Sequence, residues 1–269
     1  MTKLADAHVV ITGGSSGIGL ATARLAVAHG ARVSLIARDP GRLAAAADHV
    51  GSAATATADV RDPDALGAAF AVLEARSGTC DVLVTSAGSS HPGYFEQLDN
   101  AVFRDQMEVD YFGTLHAVRA VVPSMIERQR GHLVAISSTA GLIGVFGYTA
   151  YAPAKFAVRG LAETLRPELA PFGIVVACAY PPDTRTPGFD AENALKPPET
   201  ERISAAIKPR DADVVARAIV GGIEKDRLVI TADVQTAALA RAGGLLGPYV
   251  RRTMDRQVRQ VRKVRREQS

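Results

Sequence analysis

HVVITGGSSGIG, His8 to Gly19, is the stretch on which the fold turns. His8 to Thr12 reads as a buried strand, and the glycine-rich turn follows it without a break. A helical pattern then starts, with Ile18, Ala21, Leu25 and Ala28 on one stripe. Strand, glycine turn and helix together set backbone N–H groups and a helix N-terminus against a phosphate. The glycine spacing is G-x-x-x-G-x-G (Gly13, Gly17, Gly19), which differs from G-x-G-x-x-G. Glycines that merely permit a tight strand-to-helix turn are the plainer alternative.

Moving outward, Ala31 to Ala37 gives a second apolar strand, followed by Arg38-Asp39-Pro40. In dinucleotide folds an acid near this strand end binds the ribose 2′-hydroxyl, whereas an Arg accommodates a 2′-phosphate. Ala37 ends the strand and Arg38 comes next, so the chemistry points to NADP(H). Asp39 is the rival acid, but with Pro40 after it, capping the next helix is its expected task.

Further strands are expected at Ala53–Val60, Cys80–Thr85, Gly131–Ser138 and Ile174–Tyr180, with helices between them. One helix runs from about Asn100 to Arg128 and contains Asp110, and another runs from Tyr151 to about Phe172. This alternation predicts an α/β fold: a doubly wound, Rossmann-type parallel sheet in three αβα layers. The ligand is expected at the carboxyl edge of the strands. After Tyr180 the pattern lapses, with five prolines between Pro181 and Pro198, so residues 181–210 are expected to form a substrate lid. A helix at Asp211–Lys225 and a short strand at Arg227–Ile230 follow. The expected organisation is a catalytic domain over 1–235 and an apolar, then Arg-rich, extension over 236–269.

Composition bounds the function. The chain has 269 residues, 47% apolar, with no Trp and only two cysteines, Cys80 and Cys178. That excludes a disulfide framework and a zinc-ligand spacing, and no metal is expected. There is no signal-like start and no long apolar run, so a cytoplasmic protein is expected, with peripheral contact at a membrane surface as an option. Net charge is +3, yet residues 251–269 alone hold eight Arg/Lys and two acids, a net of +6. The basic tail lacks interleaved aromatics, so no nucleic-acid partner is expected. A solvated helix end, a subunit contact or a lipid-facing patch are its readings.

Tyr151 and Lys155 (YAPAK) lie four apart, on one face if helical. A neighbouring cation favours the phenolate, which suits proton exchange with a carbonyl/alcohol pair. Ser138, thirteen positions upstream, could hydrogen-bond the same oxygen. On its own, Y-x-x-x-K equally describes a surface pair.

Together, TGGSSGIG, Ser138 and YAPAK resemble the short-chain dehydrogenase/reductase superfamily over nearly the whole chain to about residue 230. The resemblance implies a cofactor site at Gly13, Ser15, Ser16, Gly17, Ile18, Gly19, Arg38, Asp59, Val60, Ala87, Gly88, Tyr151, Lys155, Pro181, Thr184 and Thr186. Among these, Asp59 matches the position that contacts adenine, and Thr186 a hydroxyl near the pyrophosphate or carboxamide. It also implies Tyr151, Lys155 and Ser138 as catalytic residues, with Asp110 (in VDYFG) where the family has Asn in a water relay. Thr85-Ser86-Ala87-Gly88 stands where Asn-Asn-Ala-Gly is usual. More narrowly, GVFGYTAYAPAKFAVRGLAETL and AYPPDTRTPGF are similar to 3-ketodihydrosphingosine reductases, which implies NADPH-dependent reduction of a long-chain lipid ketone. The membrane-anchoring apolar segments of the animal enzymes are not expected in residues 1–269. A bulky alcohol, aldehyde or steroid-like substrate and a non-catalytic NADP-binding scaffold stay open as alternatives, and a homo-oligomer, dimer or tetramer, is expected.

Overall fold

Along β1 (His8–Thr12) every residue is buried, and neighbours face opposite ways: Val10 enters one apolar cluster, Val9 and Ile11 another. A strand covered on both faces belongs in the middle of a sheet between helical layers. This is what the structure, a computed structural model, contains. It describes residues 1–51, 53–205 and 207–268, with the side chains of 265–268 excepted.

The elements alternate as α1 (Gly17–Ala28), β2 (Arg32–Ala37), α2 (Pro40–Val50), β3 (Ala54–Thr57), α3 (Pro63–Ser77) and β4 (Val82–Thr85). Then come α4 (Asn100–Gln106), α5 (Gly113–Glu127), β5 (Gly131–Ile136), α6 (Tyr151–Leu169) and β6 (Ile174–Ala179). The chain closes with β7 (Thr184–Arg185), α7 (Pro187–Asn193), α8 (Pro198–Ser204), β8 (Arg210–Asp211), α9 (Ala212–Glu224), β9 (Val229–Ile230) and α10 (Val234–Gln268). The main sheet has the order β3-β2-β1-β4-β5-β6-β9, and each of its pairings is parallel. One face packs on α3, α5 and α6 through Leu66, Phe70, Val121, Met125 and Val158. The other packs on α1, α2 and α9 through Ala23, Ala26, Leu43, Ile219 and Ile223. β1 lies between β2 and β4, so the order reverses there and opens a crevice at the strand ends.

Helix starts follow local chemistry. Asp39, Asp62 and Thr186 each cap a helix by accepting from backbone N–H groups, and each is followed by Pro at the first helical position. Asp39 thus does what its place before Pro40 suggested.

Four features differ from expectation. The third strand stops at Thr57, which leaves Asp59 and Val60 in the following loop. The long helix is interrupted between α4 and α5 by a π-helical turn, Met107–Phe112, that holds Asp110. Residues 181–210 are no bare loop: they contain α7, α8 and a small β7-β8 pairing, because Thr186-Pro187 and Pro197-Pro198 start helices. Finally, α10 runs for 35 residues with a kink at Ala242. No helix among the described residues is long and apolar enough to cross a membrane.

Candidate active site

The crevice is a cavity of about 1470 Å³ running from the β1–α1 turn, past the ends of β4 and β5, to α7 and α10. At its first end the backbone sets the shape. Gly13 sits at φ 68°, and a Cβ there would stand 2.6–2.7 Å from the Ser86–Ala87 backbone. Gly17 sits at φ 54°, where a Cβ would meet the Thr186 methyl at 3.0 Å. Only glycine satisfies both the dihedral and the approach. Ser16 occupies the N-cap of α1 without a side-chain cap bond, and no acid lies in the first turn. Unpaired N–H groups and a partial positive charge therefore border the cavity, a setting that fits a phosphate. Ser15, Ser16, Gly17 and Ile18 line it, while Gly19 is buried behind it, where a Cβ would strike the Gly13 carbonyl at 2.5 Å.

Beyond this cradle, Ala37, Arg38 and Arg42 line the cavity at the end of β2. The Asp39 carboxylate accepts from the Arg42 N–H at 2.9 Å. Asp59 and Val60 border the same space. The Asp59 carboxylate is held by the Arg61 guanidinium, with Nη2 at 2.6 Å, which keeps its carboxyl below the usual range. Ala87, Gly88, Pro181, Thr184 and Thr186 close the other side. Thr186 Oγ1 accepts from Phe189 N, so its O–H can still donate outward.

In the middle of the cavity lie Ser138, Tyr151 and Lys155. Ser138 follows β5, where its hydroxyl accepts from Ala140 N at 3.1 Å. The helix α6 begins at Tyr151, and one turn on Lys155 Nζ stands 5.6 Å from the Tyr151 ring centre. Lys155 is anchored by the Ile136 carbonyl at 3.1 Å and by Asp110 Oδ1 at 3.1 Å. Ser137, next to Ser138, donates to the Lys155 carbonyl at 2.8 Å and so fixes α6 on β5.

The electrostatics follow from burial and charge. Burial pushes the Tyr151 phenol up to about 12, against the pull of Lys155 and Ser138 and with the help of Asp110. Burial also works against the Lys155 ammonium, but Asp110 and Tyr151 outweigh it and hold the charge. Asp110 is fully buried; burial raises its carboxyl while Lys155 pulls it back. Its Oδ1 accepts from Ser89 N at 3.2 Å, and Oδ2 is buried with no hydrogen-bond partner. Gly88 permits this contact, since a Cβ there would lie 2.6 Å from Oδ1.

At the far end the lining turns apolar, with Leu239, Leu246, Tyr249, Val250 and Met254 from α10. The basic tail partly folds back: Arg262 lies 3.4 Å from Glu199 on α8 and 5.8 Å from the Phe146 ring centre. Sequence reasoning did not single out Tyr148, Asp183, Glu192 or Arg42. Of these only Tyr148, three residues before Tyr151, left a local signal.

A family profile described as short chain dehydrogenase matches residues 7–196. A 3-dehydrosphinganine reductase from Danio rerio is 43% identical over 81% of this chain and 68% of its own length. A 3-ketodihydrosphingosine reductase from Dictyostelium discoideum is 40% identical over 92% of this chain and 80% of its own. Among solved structures, levodione reductase superposes with a TM-score of 0.79 at 26% identity, covering 87% of this chain and 99% of its own.

Proposed function

The chain belongs to the short-chain dehydrogenase family, a nicotinamide-dependent oxidoreductase family, and from that premise we propose that it reduces a long-chain 3-keto sphingoid lipid to its secondary alcohol with NADPH. The observation that carries this reading is one continuous cavity in which the Ser138–Tyr151–Lys155 cluster meets an apolar wall from α10.

The cofactor, when bound, supplies the hydride. The residues named here act around it. Gly13, Ser15, Ser16, Gly17 and Ile18 would hold its phosphates, Arg38 and Arg42 would pair with a ribose 2′-phosphate, and Asp59 and Val60 would border its adenine. Two arginines at this place favour NADPH over NADH, and Asp39, which also borders the cavity, is turned to the Arg42 N–H as the cap of α2. Tyr151 donates its proton to the ketone oxygen, and its high pKa keeps that proton available at neutral pH. Ser138 donates a hydrogen bond to the same oxygen, and Lys155 stabilises the phenolate that remains. Asp110 holds Lys155 in place and occupies the relay position.

NADPH consumption with 3-keto sphingoid bases of graded chain length tests this. Catalytic efficiency should rise about fourfold for each added methylene, about 0.8 kcal/mol, until the wall is covered. A flat response would leave a ketone reductase without the lipid assignment.

Leu245 and Tyr249 are exposed on α10, and the arginines that follow them suit an anionic membrane surface. We take peripheral contact there, and a dimer or tetramer, as part of the proposal. Vesicle flotation with and without acidic lipid, and sedimentation, test each.

A further inference from the structure

On the substrate side of Tyr151 the cavity wall is unexpectedly polar. Tyr148, whose ring centre lies 5.8 Å from that of Tyr151, donates its hydroxyl to Glu192 Oε1. Lys196, one turn further along the chain, brings Nζ to 3.1 Å from the same oxygen and 4.4 Å from the Phe189 ring centre. The Lys196 side chain is 2% exposed, and its Nζ makes no hydrogen bond. Asp183 completes the group: it lines the cavity with Tyr148 and Glu192, and its Oδ2 is buried without a hydrogen-bond partner. Burial raises the Asp183 carboxyl and Glu192 adds to the rise, while Lys196 and a hydrogen bond from the Ser204 side chain oppose it.

Two carboxyl groups share one lysine at this wall. Lys208 and Arg210 also border the cavity, but both are exposed and solvated. A buried, unbalanced carboxylate is costly, and donor groups brought by a ligand relieve the cost. The charge also reaches the proton donor, because Glu192 is among the groups that raise Tyr151. A purely apolar ketone would bury this wall and leave Asp183 Oδ2 without a partner.

A 3-keto sphingoid base carries an amino group on the carbon next to its carbonyl. With the carbonyl oxygen at Tyr151, that nitrogen must lie beside the residues bordering Tyr151. We propose that Asp183 and Glu192 receive this amino group as an ammonium, making the enzyme selective for α-amino ketones over plain ketones. The inference rests on the ketone-reductase reading above and names what that site recognises. Three fixed points follow: the oxygen at Tyr151, the nitrogen at the acidic wall and the chain along α10. Three points present one face of the carbonyl to the cofactor, so a single alcohol stereoisomer is expected.

The experiment compares kcat/KM for the amino ketone, its N-acetyl derivative and the desamino 1-hydroxy-3-ketone of equal chain length. Hydrogen bonds to charged groups predict that the wild-type enzyme favours the free amine by about ten- to a hundredfold over either neutral analogue. In Asp183→Asn and Glu192→Gln that ratio should fall towards one. Parity among the three substrates in the wild type, or an undiminished ratio in both variants, would overturn the proposal. If a variant does not fold, the N-acetyl comparison still decides, because it needs only the native protein. Consumption of NADPH with none of the three would instead bring down the reductase reading itself, and this proposal with it.

Discussion

The two ends of the cavity are built of different materials. At the nucleotide end, backbone does the shaping: Gly13 and Gly17 take positive φ, and would-be Cβ atoms collide with main chain or with Thr186. At the substrate end, side chains from α6, α7, α10 and the loops between them assemble a charged wall beside an apolar one. Backbone recognition suits a ligand whose phosphates are always the same. Side-chain recognition suits one whose identity separates one family member from another. Change at the first end should therefore affect every substrate alike, and change at the second should affect substrates selectively.

The largest effect is expected where the ends meet. Replacing Tyr151 with Phe removes the proton donor and should lower kcat by about 10²- to 10⁴-fold. The loss should be equal for long and short ketones in steady-state assays. A loss that depended on chain length would break the division, because it would make Tyr151 part of the substrate wall.

Next comes the nucleotide end. Exchanging Ala37 for Asp and Arg38 for Leu adds a 2′-hydroxyl acceptor and removes a guanidinium. The NADPH-to-NADH preference should shift by about ten- to a hundredfold toward NADH, measured as the ratio of kcat/KM values. Chain-length dependence should stay as it was. Equal use of both cofactors by the wild-type enzyme would sink the cofactor assignment.

At the other end, Leu239→Ala trims the apolar wall. It should cost about fivefold in kcat/KM for a long-chain ketone, in line with partial loss of a buried Leu contact. A short-chain ketone that never reaches α10 should be unaffected, and so should the cofactor KM. Equal losses for both ketones would show that Leu239 serves the fold instead of the ligand.

The same contrast explains what could be read from the sequence. The glycine turn, the alternating strands and the Asp39-Pro40 cap are local rules, acting within a few residues, so their places were legible. Ser138, Tyr151 and Lys155 were legible as spacings, and they lie together in the cavity. The Asp183–Glu192 wall, with Lys196 against Glu192, was not, because Glu192 meets Tyr148 only after the chain has crossed β6. Arg262 reaches Glu199 across 63 positions, a contact no period or motif encodes. The helices hidden in 181–210 were missed for another reason: each is seven residues long, too short for a periodic stripe.

The smallest effect concerns Asp110, which belongs to neither end but sets the charge between them. Its Oδ1 lies 3.1 Å from Lys155 Nζ, and both groups are buried. An ionised Asp110 offsets part of the ammonium field at Tyr151, so the phenol keeps its proton to higher pH. Asn has nearly the same shape and can still accept from Ser89 N and Lys155, but it carries no charge. In Asp110→Asn the Lys155 field acts on Tyr151 with only burial and Glu192 against it, and the phenol pKa falls from about 12 toward the ordinary tyrosine value. A donor with a lower pKa loses its proton at lower pH, so the alkaline limb of ketone reduction should move down, by about one pH unit or less. Alcohol oxidation, which needs the phenolate, should improve relative to reduction at a fixed pH. Both rates measured across pH for the wild type and the variant test the sign. An unmoved limb with both rates intact would mean that Asp110 already carries a proton beside Lys155, its burial having outweighed the ion pair. The residue would then position Lys155 without tuning Tyr151.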